Sequence, residues 1–101
     1  MRRDDIVREI YEAIRRANEL RGPDDRLACS EETVLFGPGS SLDSLGLVSL
    51  ILDVEEAVNA RTGTGLVLAD ERAVAQQRSP FRDVRSLADY VVSRLESERA
   101  A

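Results

Sequence analysis

The sequence predicts an all-α domain, a small four-helix bundle of three longer helices and one short one, and three observations carry that prediction. The chain has 101 residues, 43% of them apolar but only 4% aromatic, so its core must come from Leu, Ile, Val and Ala, which suits helix packed on helix better than sheet. Apolar residues recur at helical spacing in three separate segments. No internal repeat and no second domain interrupts them, in keeping with a length that supports one modest core.

The first helix is expected over about residues 4–21. Ile6, Val7, Ile10, Ala13, Ile14, Ala17 and Leu20 fall on one side, with Arg8, Glu12, Arg15 and Glu19 opposite. Asp4 and Asp5 complement the positive helix start and Arg21 the negative end, and Gly22-Pro23 stops it. Residues 22–42 then read as a long connection rich in Gly, Pro, Ser and acidic groups, with a short helical turn near Ser30-Glu31-Glu32. Its apolar triplet Val34-Leu35-Phe36 is expected to pin it onto the bundle. A structureless connection of this length is unusual in a compact domain and often carries function.

A second helix is expected over about residues 43–61, with Asp43 as N-cap and Thr62-Gly63 as its end. It has more apolar residues than one stripe can hold. Stepped at about 100° per residue, Leu47, Leu50, Ile51, Val54 and Val58 form a core set, while Leu45, Val48 and Leu52 fall elsewhere with Glu55 and Glu56. A loop through Gly65 and Leu66-Val67-Leu68 leads to a short helix over about 70–77, capped by Asp70 and broken at Ser79-Pro80-Phe81. Asp83 then caps the last helix, about 84–97, whose Val84, Leu87, Ala88, Val91 and Leu95 are spaced for a buried face.

Absent residue types exclude much chemistry. The chain has no histidine and no lysine, so Ser-His and Cys-His nucleophile activation, His-ligated metals and a phosphate loop needing GK[ST] are all ruled out. A hydrolase using Ser44 would lack a base. One cysteine, Cys29, rules out an internal disulfide framework and a thiolate metal cluster. No N-terminal stretch resembles a signal peptide and no segment is long enough to span a membrane, so a cytoplasmic location is expected. Ten acidic side chains lie between residues 24 and 71 against only Arg26 and Arg61, a local charge of −8 within a chain total of −5. That acidic middle disfavours nucleic acid and anionic membrane and points to basic protein partners.

The segment that decides a functional reading is Leu42-Asp43-Ser44-Leu45-Gly46-Leu47-Val48-Ser49-Leu50, where the long connection enters the second helix. Here the chain resembles the acyl carrier protein family, whose attachment motif is Asp-Ser-Leu at the start of a second helix. The resemblance covers most of the chain, through Asp53-Val54-Glu55-Glu56-Ala57 to the final Val84-Arg85-Ser86-Leu87-Ala88-Asp89-Tyr90-Val91. It implies a non-enzymatic carrier with a 4′-phosphopantetheine arm on Ser44, flanked by Asp43 and Leu45. A phosphopantetheinyl transferase would install the arm from coenzyme A, and its thiol would shuttle acyl or aminoacyl thioesters in lipid or secondary metabolite biosynthesis.

The resemblance also implies that Leu45, Val48 and Leu52, edged by Glu55 and Glu56, dock basic rims of loading and acyl-transferring enzymes. Bacterial fatty-acid carriers usually have glycine where this chain has Ser41 and acidic residues at the positions of Gly46 and Ser49. The leucine before the motif and the glycine after it look more like the D-alanyl and other aminoacyl carriers. Because the chain ends soon after the last helix, a free-standing monomer working in trans is expected. Other readings stay open at this point. Ser44 read alone is an ordinary first-turn serine, Leu45 or Leu52 could be covered by the 22–42 loop or the short helix, and the bundle could be an unmodified interaction domain.

Overall fold

The computed structural model describes residues 1–37, 39, 40, 42–68 and 80–100. Among these are three α-helices and no strand: α1 over Arg3–Asn18, α2 over Ser44–Thr62 and α3 over Val84–Ala100, with a 3-10 turn at Pro23–Asp25. The short helix expected at 70–77 lies outside the described residues.

α1 packs against both other helices. Ile6, Ile10, Ala13 and Ile14 are completely buried because their spacing keeps them on one side of the helix. At its start, the Asp5 carboxylate accepts from the Arg2 N–H at 3.0 Å, satisfying a donor with no partner inside the helix. The end differs from the expectation of 4–21. The helix stops at Asn18, and Leu20 N–H to Ala17 and Arg21 N–H to Asn18 are tighter bonds, each spanning three residues. Leu20, assigned to the core side by periodicity, is therefore rotated off it and is 94% exposed. Asn18 explains the stop: its amide donates to the Leu27 carbonyl at 2.9 Å and accepts from the Leu27 N–H at 2.8 Å, fixing the loop against the helix end so that Leu27 is buried.

α2 runs antiparallel to α1, since Glu9 pairs with Arg61 at 3.1 Å and Arg16 with Asp53 at 3.6 Å. Leu47, Leu50, Ile51, Val54 and Val58 line its buried side. It ends at Gly63, whose φ of 70° is the left-handed C-cap conformation that glycine adopts without steric cost. α3 follows Asp83, whose carboxylate accepts from the Ser86 N–H at 2.7 Å, and runs to Ala100, past the expected 97.

The long connection is held by backbone bonds. Leu35 and Phe36 N–H donate to the Arg82 carbonyl at 2.8 and 3.2 Å, and Val84 and Arg85 N–H donate to Thr33 and Glu31. Val34 forms an isolated antiparallel bridge with Asp83. Of the apolar triplet, Leu35 alone is completely buried and Phe36 faces water, because extended residues alternate in direction. The expected helical turn near residue 31 is a simple turn closed by Thr33 N–H on Ser30. Arg3 of α1 pairs with Glu31 of the loop at 2.6 Å and with Asp89 of α3 at 2.8 Å, and these two partners, Glu31 first, raise its pKa above the ordinary guanidinium value.

Candidate functional site

The site forms where the long connection enters α2. Asp43 is the N-cap in extended backbone conformation, and its Oδ1 accepts from the Gly46 N–H at 2.7 Å. Ser44 is the first helical residue. The N–H groups of Ser44 and Leu45 have no carbonyl within the helix to bond, and the helix dipole places partial positive charge beside them. This donor set fits an anion at Ser44, such as a phosphodiester. The Asp43 carboxylate is turned into the cap bond.

Gly46 has a steric role here. A Cβ at this position would lie 3.1 Å from both Asp43 Oδ1 and Leu42 Cδ2. Its absence lets Leu42 fold back over the first turn and pack against the core, at the positions of a hydrophobic staple with Leu47. One small residue thus serves both the cap and the staple.

Leu45, Val48 and Leu52 are 75%, 44% and 50% exposed, so none of the described residues covers them. They recur at intervals of three and four along α2 and share one side with Glu56, which is also exposed. Glu56 makes no hydrogen bond or ion pair among the described residues.

Glu55 is placed differently. It is half-buried, and its Oε2 accepts from the Leu68 N–H at 3.0 Å, so it anchors the connection after α2. Asn59 holds the same segment through both backbone groups of Leu66, and Arg94 of α3 donates to the Val67 carbonyl at 3.1 Å. Leu66 and Leu68 are buried as a result. The long connection after Thr62 is thus an ordered strap over the bundle as far as residue 68.

A cleft of about 480 Å³ opens beside the α2 start, between its first half and the C-terminal end of α1, and shares Leu45 with the exposed strip. Ala17 of α1 and Leu20 just after it line one side and Leu42, Leu45 and Ser49 the other, and the Arg16–Asp53 ion pair lies at its far end. Asp43 and Leu45, which flank Ser44 in sequence, both line it. The α1 wall was not apparent from sequence; the only signal is Leu20, an apolar residue two positions before the Gly22-Pro23 stop. Among the described residues no group of acidic, cysteine or histidine side chains is arranged to hold a metal ion, and no helix is long and apolar enough to cross a membrane. No protein-family model, curated protein or solved structure matches the chain.

Proposed function

We propose that the chain is a carrier domain of the acyl carrier type, in which Ser44 bears a 4′-phosphopantetheine arm. The observation that carries this reading is the placement of Asp43-Ser44-Leu45 at the mouth of α2, with exposed Leu45, Val48, Leu52 and Glu56 running down the helix from it. The reading includes the fourth, short helix expected at 70–77 and a place among cytoplasmic biosynthetic enzymes.

In the modification step the Ser44 hydroxyl oxygen forms a bond to the phosphorus that bears the pantetheine of coenzyme A. The bond from that phosphorus to the departing adenosine bisphosphate breaks, and the serine proton passes to a base on the transferase. The chain has no histidine or lysine of its own for that task, which favours an attachment point over a self-activated nucleophile. Once bound, the group supplies a terminal thiol that holds acyl or aminoacyl cargo as a thioester. The residues of this chain do three things: the first N–H groups of α2 favour the phosphodiester charge, Asp43 fixes the helix start, and the apolar strip with Glu56 receives partner enzymes. Burial of Leu45, Val48 and Leu52 supplies affinity, and acidic charge supplies encounter rate and orientation toward basic rims.

Intact-mass measurement after incubation with coenzyme A and a broad-specificity transferase tests the reading. The expected result is a single phosphopantetheine mass increment on wild type and none on Ser44→Ala. No increment on wild type would leave the alternative, an unmodified helical interaction domain whose partner covers the same strip. An increment that survives Ser44→Ala removes Ser44 as the site.

A further inference from the structure

We infer that partner enzymes dock on the α1 side of α2, across the cleft between the two helices, with Leu20 as a second apolar anchor beside Leu45. The occupant is an amphipathic helix of the partner that presents a row of apolar side chains and one arginine or lysine. This rests on the carrier reading and specifies how a partner meets the carrier.

The two sides of the exposed strip differ in what already occupies them. Counted at about 100° per residue from Leu45, Glu56, Ser49 and Asp53 fall about 20°, 40° and 80° toward α1, whereas Asn59, Val48 and Glu55 fall about 40°, 60° and 80° the other way. On that other side the chain's own strap is seated, with Asn59 bonding both backbone groups of Leu66 and Glu55 accepting from the Leu68 N–H. Toward α1 the apolar surface continues instead into the cleft. Leu45 belongs to both, and across from it Leu20 stands 94% exposed. A partner side chain entering there buries two leucines at once, from two different helix ends.

Charge fixes the chemistry and direction of the partner. Of the three carboxylates on α2, that of Glu55 holds the Leu68 N–H and that of Asp53 faces Arg16 at 3.6 Å. Glu56 is exposed and makes no hydrogen bond or ion pair among the described residues, so one carboxylate is left to receive a cation from outside. Residues 45 to 56 span about 16 Å at the helical rise. A partner helix lying along α2 therefore carries apolar anchors at helical spacing over Leu45, Leu52 and the cleft, and its cation about three turns from the first of them. Position 44 falls about 100° round from Leu45, on the side away from α1, so the attachment point sits at the edge of this footprint and the arm is free to enter the partner's active site while the dock holds.

The test measures initial rates of modification of the full chain by coenzyme A and a broad-specificity transferase, read by mass as chain concentration is varied at low and high salt. Leu20→Asp, at a site too exposed to disturb folding, is expected to raise KM about tenfold while kcat and the thermal midpoint stay near those of wild type. Glu56→Gln is expected to raise KM about threefold at low salt and to match wild type at high salt, where the charge is screened. Val67→Asp, 54% exposed on the strap, should leave KM unchanged. A wild-type KM for Leu20→Asp or Glu56→Gln at low salt, or an equal rise for Val67→Asp, would overturn the dock on the α1 side and leave the carrier reading intact. Elution of wild type as a dimer and of Leu20→Asp as a monomer would give this face to a second copy and overturn the dock as well. Absence of the mass increment on wild type would overturn both.

Discussion

The side-chain amide of Asn59 bonds both backbone groups of Leu66, donating from Nδ2 to its carbonyl at 3.0 Å and accepting at Oδ1 from its N–H at 2.9 Å. Asn18 does the same to Leu27. Two helices therefore end on one device: an asparagine in the last turn or at its end clamps a buried leucine seven or nine residues on. The clamp lets an apolar side chain enter the core from a loop whose backbone would otherwise carry unmet polar groups into it.

Asn59→Ala strands both groups of Leu66 and is expected to lower stability by about 2–3 kcal/mol. Asn18→Ala should cost a similar amount through Leu27. Urea denaturation of each variant measures the loss, and a midpoint equal to that of wild type would show that water satisfies these groups equally well.

Adjacent glutamates on α2 should behave oppositely. Glu55→Ala removes the acceptor of the Leu68 N–H and is expected to cost about 1–2 kcal/mol, whereas Glu56→Ala should leave stability within about 0.5 kcal/mol. Transferase rates should reverse that order, with Glu56→Arg and Val48→Asp slowing modification while leaving the thermal midpoint near that of wild type. Equal loss of stability at both glutamates would contradict the distinct environments of their carboxylates.

Gly46→Ala exchanges the poorest ordinary helix former for the best, a change worth about 1 kcal/mol in a helix interior. Here the new methyl meets Asp43 Oδ1 and Leu42 Cδ2 at 3.1 Å. The expected outcome is a stability within about 0.5 kcal/mol of wild type, propensity being offset by displacement of the cap and staple. Chemical denaturation reads this directly, and the full propensity gain would mean that Leu42 yields freely.

The Arg2 N–H holds the Asp5 carboxyl below the usual carboxylate range. A lowered folded-state pKa stabilises the fold above the unfolded-state value, and that contribution disappears as pH falls through the folded-state value. Asp5→Ala should therefore melt below wild type near neutrality and converge with it in acid. Melting curves across pH decide this; a gap that persists unchanged into strong acid would assign the loss to something other than the carboxylate.

Much of the helical framework was legible because burial imposes a period on it. Ile6, Ile10 and Ile14, then Leu50, Val54 and Val58, then Val84, Leu87 and Val91 are spaced to share one side of a helix, and all are buried. The caps at Asp43 and Asp83 were legible for a local reason, since a side chain reaching the N–H three residues on needs no tertiary partner. Asp43-Ser44-Leu45 stood out in the same way, as a short motif at a predictable helix start.

Tertiary structure decided what periodicity could not. It ended α1 at Asn18 because Leu27 returns to that amide, and so moved Leu20 from the core to the rim of a cleft. It divided Glu55 from Glu56, identical neighbours in sequence, because only one meets the Leu68 N–H. It left Phe36 in water beside a buried Leu35 because the loop runs extended along the Arg82 backbone. Local chemistry and repeat spacing are written along the chain, but a hydrogen bond between distant residues depends on how the helices bring them together. The motif at Ser44 could therefore be read from sequence, whereas the cleft beside it depends on the packing of α1 against α2.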